Sequence, residues 1–208
     1  MASWRILGLQ GPKGSGKDYA YKVLADISPV PVKRFAFADI LKEEMSENFG
    51  LDMQLLHGSQ EDKDTSYTKI QWSNPMVEKF AEGRQGYLTY RELLQIYGTE
   101  ISRMGRGEDI WLDKLKPKVY DWLEQNDEHI AIITDCRYDN ECRWVTSSGG
   151  TNALIDGNRE NTDEHASEQC DLPHDIAIPS KGLVSHGETN RHLKDLMWTA
   201  FGVNCHGK

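Results

Sequence analysis

Cysteine is scarce: Cys136, Cys142, Cys170 and Cys205 are the four in a chain of 208 residues. A domain of this size buries its own core without a disulfide framework, so reduced thiols are expected. The spacing also lacks the paired halves of a structural zinc site; Cys170 with His174 and His186 with His192 are the nearest approaches. No apolar run approaches the roughly 18 residues of a membrane span. Met1-Ala-Ser-Trp-Arg5 passes straight into a short apolar segment without a signal-peptide layout, so the expectation is a cytoplasmic protein with no membrane partner. Positive charge is in deficit too, with 24 Lys and Arg against 33 Asp and Glu and a net charge of −9. Such a body repels a phosphate backbone, which argues against a nucleic-acid partner. Repeats and low-complexity tracts are absent. What remains, 38% hydrophobic and 27% charged, is the composition of one globular domain.

Hydrophobic spacing divides the chain into strands and helices. Trp4 to Gln10 is a β-prone run, followed by a glycine-rich turn and by Asp18 to Ile27, where Ala20, Val23, Leu24 and Ile27 share a helical face. Arg34 to Ala38 reads as a strand, and Asp39 as the cap of a helix reaching Phe49. Residues 50 to 88 are polar and weakly periodic, the pattern of a mobile, loop-rich excursion. Thr89-Tyr-Arg-Glu92 is a capping box opening a helix toward Met104. A further helix starts near Glu108 or Asp109 and buries Trp111, Leu112, Leu115, Val119, Trp122 and Leu123. Ile130 to Thr134 is continuously apolar and β-branched, the mark of a strand buried on both faces. Ala153 to Ile155 and Ile176 to Ile178 are shorter strand candidates, and Glu188 to Phe201 closes the chain as a helix. Strands alternating with helices predict an α/β three-layer sandwich, with an approximately five-stranded parallel sheet and helices on both faces. Ligands of such sheets bind at the carboxyl ends of the strands.

At one such end, Gly11-Pro-Lys-Gly-Ser-Gly-Lys17 fits G-x-x-x-x-G-K between a strand and a helix. Its glycines let backbone N–H groups converge on a polyphosphate, the helix N-terminus adds partial positive charge, and Lys17 reaches the outer phosphates. The hydroxyl residue that usually follows the lysine and binds Mg²⁺ is replaced by Asp18. Its carboxylate can hold the ion directly or through water, or serve only as a first-turn acid.

Asp135 lies where the buried strand emerges, the place of an acid that binds Mg²⁺ or its water. Arg137 follows as a fork for phosphate oxygens, and Asn140 and Glu141 open the next helix. The alternative is a surface turn with a structural Asp–Arg pair.

Together several segments resemble the deoxynucleoside monophosphate kinases of tailed bacteriophages. They are the Gly11–Lys17 loop with Asp18, Phe37 to Lys42, Arg91 to Glu100 with Arg103, Asp109-Ile-Trp111, Asp135 to Glu141, and Asp163 to Glu168. The resemblance spans about residues 5 to 180; it departs at Asp139, where the family is associated with proline, and the tail beyond residue 180 matches nothing. It implies the P-loop kinase fold with mobile acceptor-binding and lid segments, the lid over about residues 157–173 and a core of about 4–49 and 89–201. It also implies Mg²⁺-ATP as donor and a deoxynucleoside 5′-monophosphate as acceptor. On this resemblance Gly11, Lys13, Gly14, Ser15, Gly16, Lys17 and Arg159 hold the donor phosphates, Asp18 and Asp135 organise Mg²⁺, and Arg137 bridges donor and acceptor phosphates. Lys42 and Arg103 take the acceptor phosphate, Gln95, Glu100, Trp111 and Glu141 line the acceptor pocket, and His165 and Glu168 join Arg159 in the lid. Trp111 and His165 equally fit a core and a capping residue.

Two other functions remain open at this point: another small-molecule kinase, such as a dephospho-coenzyme A kinase, against which Asp18 argues, and a nucleotide-binding regulatory module without transfer activity. The accepted bases are not legible, and a homodimer is compatible with the sequence without being marked in it.

Overall fold

The computed structural model describes residues 5–157, 172–180 and 183–205. The chain forms two compact units, residues 1–37 with 115–208, and residues 38–114. It leaves the first inside one helix and returns inside another.

The first unit is built on β1 (Ile6–Gln10), β2 (Val32–Phe35), β5 (Ile130–Ile133), β6 (Thr151–Asp156) and β7 (Ile176–Pro179). These form one parallel sheet in the order β2-β5-β1-β6-β7. Strands β1 and β5 are buried at every position, which is why they read as continuous apolar runs rather than alternating ones. On one face Leu7, Leu9, Ile132, Ala153 and Ile155 pack with Ala20 and Leu24 of α1 (Lys17–Ile27) and Leu193, Leu196 and Met197 of α9 (His186–Phe201). On the other, Gly8 leaves room for Val145 of α8 (Asp139–Ser147), whose Cγ2 a β-carbon would meet at 3.2 Å. Each fully buried Leu or Ile contributes roughly 1.5–3 kcal/mol, so this double-sided core dominates the unit's stability.

Helix α2 (Phe37–Phe49) starts three residues earlier than a cap at Asp39 implies. Its first N–H is met by Asp135, 98 residues away, whose Oδ1 accepts from Phe37 N at 2.9 Å. Asp39 is an acid of the first turn rather than the cap.

The second unit is more regular than its polarity suggested. Between residues 50 and 88 lie α3 (Met53–His57), α4 (Gln60–Thr65) and the antiparallel hairpin β3 (Tyr67–Gln71) with β4 (Tyr87–Thr89). Weak periodicity here reflects element length: two helices of 5 and 6 residues and strands of 5 and 3 cannot display a repeat. The Thr89–Glu92 capping box forms, with Thr89 N donating to Glu92 at 2.8 Å and Glu92 N to Thr89 Oγ1 at 3.2 Å. It opens α5 (Tyr90–Gln95), which continues as a π-helix over Ile96–Arg103, then α6 (Met104–Arg106), before α7 (Ile110–Leu123). Among the described residues no helix is long and apolar enough to cross a membrane.

Candidate active site

The glycine-rich loop leaves β1 at the carboxyl edge of the sheet and turns into α1. Gly11 and Gly16 hold φ of 141° and 103°, backbone that a side chain would strain. Space forbids one as well: a β-carbon on Gly11 would lie 2.5 Å from the Ile155 carbonyl oxygen, and one on Gly16 would lie 2.8 Å from Ser180 Oγ. The ends of β6 and β7 therefore wall the loop. Helix α1 has no side-chain cap, because its N-cap is Gly16. Its opening amides and dipole are arranged for an anion. Lys17 Nζ donates to the Gly11 and Pro12 carbonyls at 2.6 and 2.8 Å, which puts an ammonium in the ring of the loop. Lys13 and Gly16 are half-buried, Gly14 is exposed, and Ser15 is buried beneath the turn. Asp18 is an exposed first-turn acid.

Asp135 follows β5, the strand between β1 and β2, and is half-buried while it caps α2. Two residues on, the Arg137 backbone is fastened by Glu141, whose Oε2 accepts from Arg137 N at 2.8 Å and Tyr138 N at 3.1 Å. Glu141 is 2% exposed, so in this structure it holds the Arg137 segment rather than opening onto a pocket. Beneath it, Cys136 is a buried thiol pushed up from its ordinary range by a hydrogen bond with Cys142, with burial adding to the effect. Both sulfurs are buried in the packing of the unit. Gln10, the last residue of β1, is buried and donates to Pro173 O at 2.8 Å, which ties the Pro173 backbone to the strand that feeds the loop. Arg159, His165 and Glu168 lie outside the described residues.

The second unit holds the remaining candidates. Lys42 pairs with Asp39 at 3.6 Å and approaches His57 Nδ1 at 3.5 Å. Gln95 and Glu100 are half-buried and Arg103 is buried, the latter two in the π-helix. Trp111 is 4% exposed and its indole N–H donates to the Gly98 carbonyl at 2.9 Å, a core position.

Two cations here, Lys63 and Arg91, were given no role by the sequence. Lys63 is buried on α4, and burial, reinforced by the charges of Lys42 and Arg91, pulls its ammonium below the ordinary lysine range. Arg91 donates from Nε to Asp64 at 3.0 Å, and its Nη2 is buried with no hydrogen-bond partner among the described residues. Asp64 and Asp62 act on Lys63 in the opposite direction, so its surroundings carry charge of both signs. Lys63 sits in a polar helix of six residues, where nothing local distinguishes it from a solvated lysine. Among the described residues no three His, Cys, Asp or Glu side chains form a metal cluster. Asp18 and Asp135 could thus each add an oxygen to a cation otherwise held by phosphate and water.

The pattern of a family described as deoxynucleotide monophosphate kinase matches residues 46–178. The chain belongs to that family. A protein of Acanthamoeba polyphaga mimivirus named for the same activity is 29% identical over 158 residues, 73% of each chain. The deoxynucleoside-5′-monophosphate kinase of Escherichia phage T5 is 25% identical and covers 89% of each chain. Among solved structures, an APS kinase of Mycobacterium tuberculosis is similar at TM-score 0.43 and 11% identity, covering 95% of this chain and 99% of its own. A shikimate kinase of Aquifex aeolicus is similar at TM-score 0.39 and 15% identity, covering 90% of this chain and 92% of its own. Neither structural likeness carries weight for substrate.

Proposed function

We propose that this member of the deoxynucleotide monophosphate kinase family transfers the γ-phosphoryl group of ATP to the 5′-phosphate of a deoxynucleoside monophosphate, giving the diphosphate. The observation that carries the reading is the Lys17 ammonium within a glycine ring at the uncapped start of α1. The loop fits the donor, since the positions facing the neighbouring strand ends are those where a β-carbon cannot stand.

Phosphoryl transfer has a loose transition state with charge spread over the equatorial oxygens, so positioning and cations are what a protein supplies. In this reading Lys17 exchanges the loop carbonyls for the outer phosphates. Arg137, its backbone fixed by Glu141, neutralises charge on the transferring group. Asp135 and Asp18 are the carboxylates that would hold Mg²⁺ or its water, and the ion would supply positive charge against that developing on the donor phosphates. An oxygen of the acceptor phosphate is the nucleophile, and no side chain need act as general base. Lys42, Lys63, Arg91 and Arg103 are assigned to the acceptor phosphate, and Gln95 and Glu100 to the base. Arg159, His165 and Glu168 are assigned to a lid that excludes water, which otherwise competes as acceptor.

A coupled ADP-release assay tests the reading, with Mg²⁺-ATP against dAMP, dGMP, dTMP, dCMP, the ribonucleotides and dephospho-coenzyme A, and water as blank. Turnover above blank with at least one deoxynucleotide is expected. ATP binding with no nucleotide-dependent turnover refutes it.

A further inference from the structure

The helix following the hairpin of the second unit changes register in its middle. Tyr90–Gln95 is α-helical, Ile96–Arg103 is π-helical over 8 residues, and Met104–Arg106 returns to α. A π-helix usually occurs as a single wide turn, often at a functional site, and a run this long needs tertiary contacts to hold it.

Those contacts are present. The Trp111 indole donates to the Gly98 carbonyl at 2.9 Å, within the wide segment. At one end the Tyr97 hydroxyl donates to Glu44 at 2.7 Å. At the other, Arg106 Nη2 donates both to Ser102 Oγ at 2.9 Å and to Glu44 at 2.6 Å. Glu44, buried on α2 and further bonded by Lys114, is thereby tied to both ends of the segment. Gly98 also sits where a β-carbon would lie 2.8 Å from Leu41 Cδ2, so helix α2 grips the widest part closely.

The register decides which side chains share a face. At 3.6 residues per turn, positions five apart diverge by about 140°. Bonding from i to i+5 brings them back onto one side. Gln95 with Glu100, and Gly98 with Arg103, are such pairs. An amide beside a carboxylate matches a nucleobase edge that offers both donors and acceptors.

We propose that Glu44 and Trp111 are positioning residues that hold the register of the π-helical segment, and through it the acceptor residues assigned above. The proposal rests on the kinase reading above. Neither residue needs to touch the nucleotide: Trp111 acts through the Gly98 carbonyl, and Glu44 through Tyr97 and Arg106.

Trp111→Phe keeps the ring and removes the N–H; Glu44→Gln keeps the shape and removes the charge. Each is compared with wild type for the Michaelis constants of the accepted deoxynucleotide and of ATP, with thermal melting as a check of folding. Calorimetric binding of the same deoxynucleotide supplies a readout apart from turnover. The expected result is an acceptor KM and Kd raised about tenfold in each variant, the size of one lost buried hydrogen bond, with the ATP KM within about twofold of wild type. Ser102→Ala, a smaller change, is expected to move the acceptor KM in the same direction and serves should either variant fail to fold. Folded variants with an unchanged acceptor KM, or with both Michaelis constants raised alike, overturn the proposal. A wild-type chain that neither binds nor phosphorylates any deoxynucleotide overturns the kinase reading, and this proposal with it; normal wild-type turnover with unaltered variants overturns the proposal alone.

Discussion

Replacing Asp135 by Asn or by Ala separates the two roles assigned to its carboxylate. The structure shows one of them, the hydrogen bond from Phe37 N at 2.9 Å that caps α2. The other, holding Mg²⁺ or its water, belongs to the proposed chemistry. Asn accepts a capping hydrogen bond about as well as Asp, so Asp135→Asn should leave the melting temperature within a degree or two. Ala cannot accept it, and loss of a cap costs about 1 kcal/mol, or about 2–4 °C in a chain of this length. Turnover should respond differently. Both variants lose the negative charge that would organise the cation, and removing one electrostatic group from a transition-state site costs about 2.7–4 kcal/mol, a fall in kcat of about 10²–10³. The measurement is calorimetric melting beside kcat across a Mg²⁺ titration. Wild-type turnover in Asp135→Asn would reduce Asp135 to a helix cap and remove it from the mechanism. An unshifted melting temperature in Asp135→Ala would show that α2 does not depend on this bond.

Other outcomes follow from the same geometry. Lys17→Ala and Arg137→Ala should each lower kcat by about 10³ or more with the fold kept, and a folded variant near the wild-type rate removes that residue from the mechanism. In Glu44, burial pushes the carboxyl up, but hydrogen bonds from Lys114, Tyr97 and Arg106 more than reverse it, leaving it below its ordinary value of 4.5. Its stabilisation is therefore fully present above that value and is lost as pH falls through the lower folded one. Denaturant titrations from pH 6 to 3 should show a steeper loss in wild type than in Glu44→Gln, and parallel curves would refute the assignment. For Lys63 the sign is opposite. Its depressed folded pKa means the unfolded chain binds more protons, so the charge opposes folding until pH rises through that folded value. Lys63→Met should melt at or above the wild-type temperature at pH 7 while raising the acceptor KM; a lower melting temperature with unchanged KM would make Lys63 structural.

Elements whose signals lie within a few residues were legible beforehand. The glycine loop, the buried strand Ile130–Ile133, the Thr89–Glu92 capping box and the parallel strand set all appear near their expected places. The short elements between residues 50 and 88 did not, because 5- and 6-residue helices are too brief to show a period. Site residues divided along the same line. Lys17, Asp135 and Arg137 could be named as candidates from the sequence because a strand end and a motif mark them. Glu141 was singled out for a pocket, yet it is buried and committed to the Arg137 and Tyr138 amides, a contact three and four residues back.

Taken alone, the sequence determined the sheet and the glycine-rich loop between strand and helix, since backbone preference and burial pattern are written in neighbouring residues. Tertiary structure decided what depends on distant pairing. Asp135 caps a helix 98 positions away. Burial and the charges of Lys42 and Arg91 pull the Lys63 ammonium below its ordinary range, while Asp64 and Asp62 oppose them. Glu44 gathers Tyr97, Arg106 and Lys114 across 53 to 70 positions and, with Trp111, holds a helix in a register its own residues do not prefer. The physical reason is common to all three: desolvation and hydrogen-bond completion act on whatever the folded chain brings together, and local propensity carries no record of that meeting.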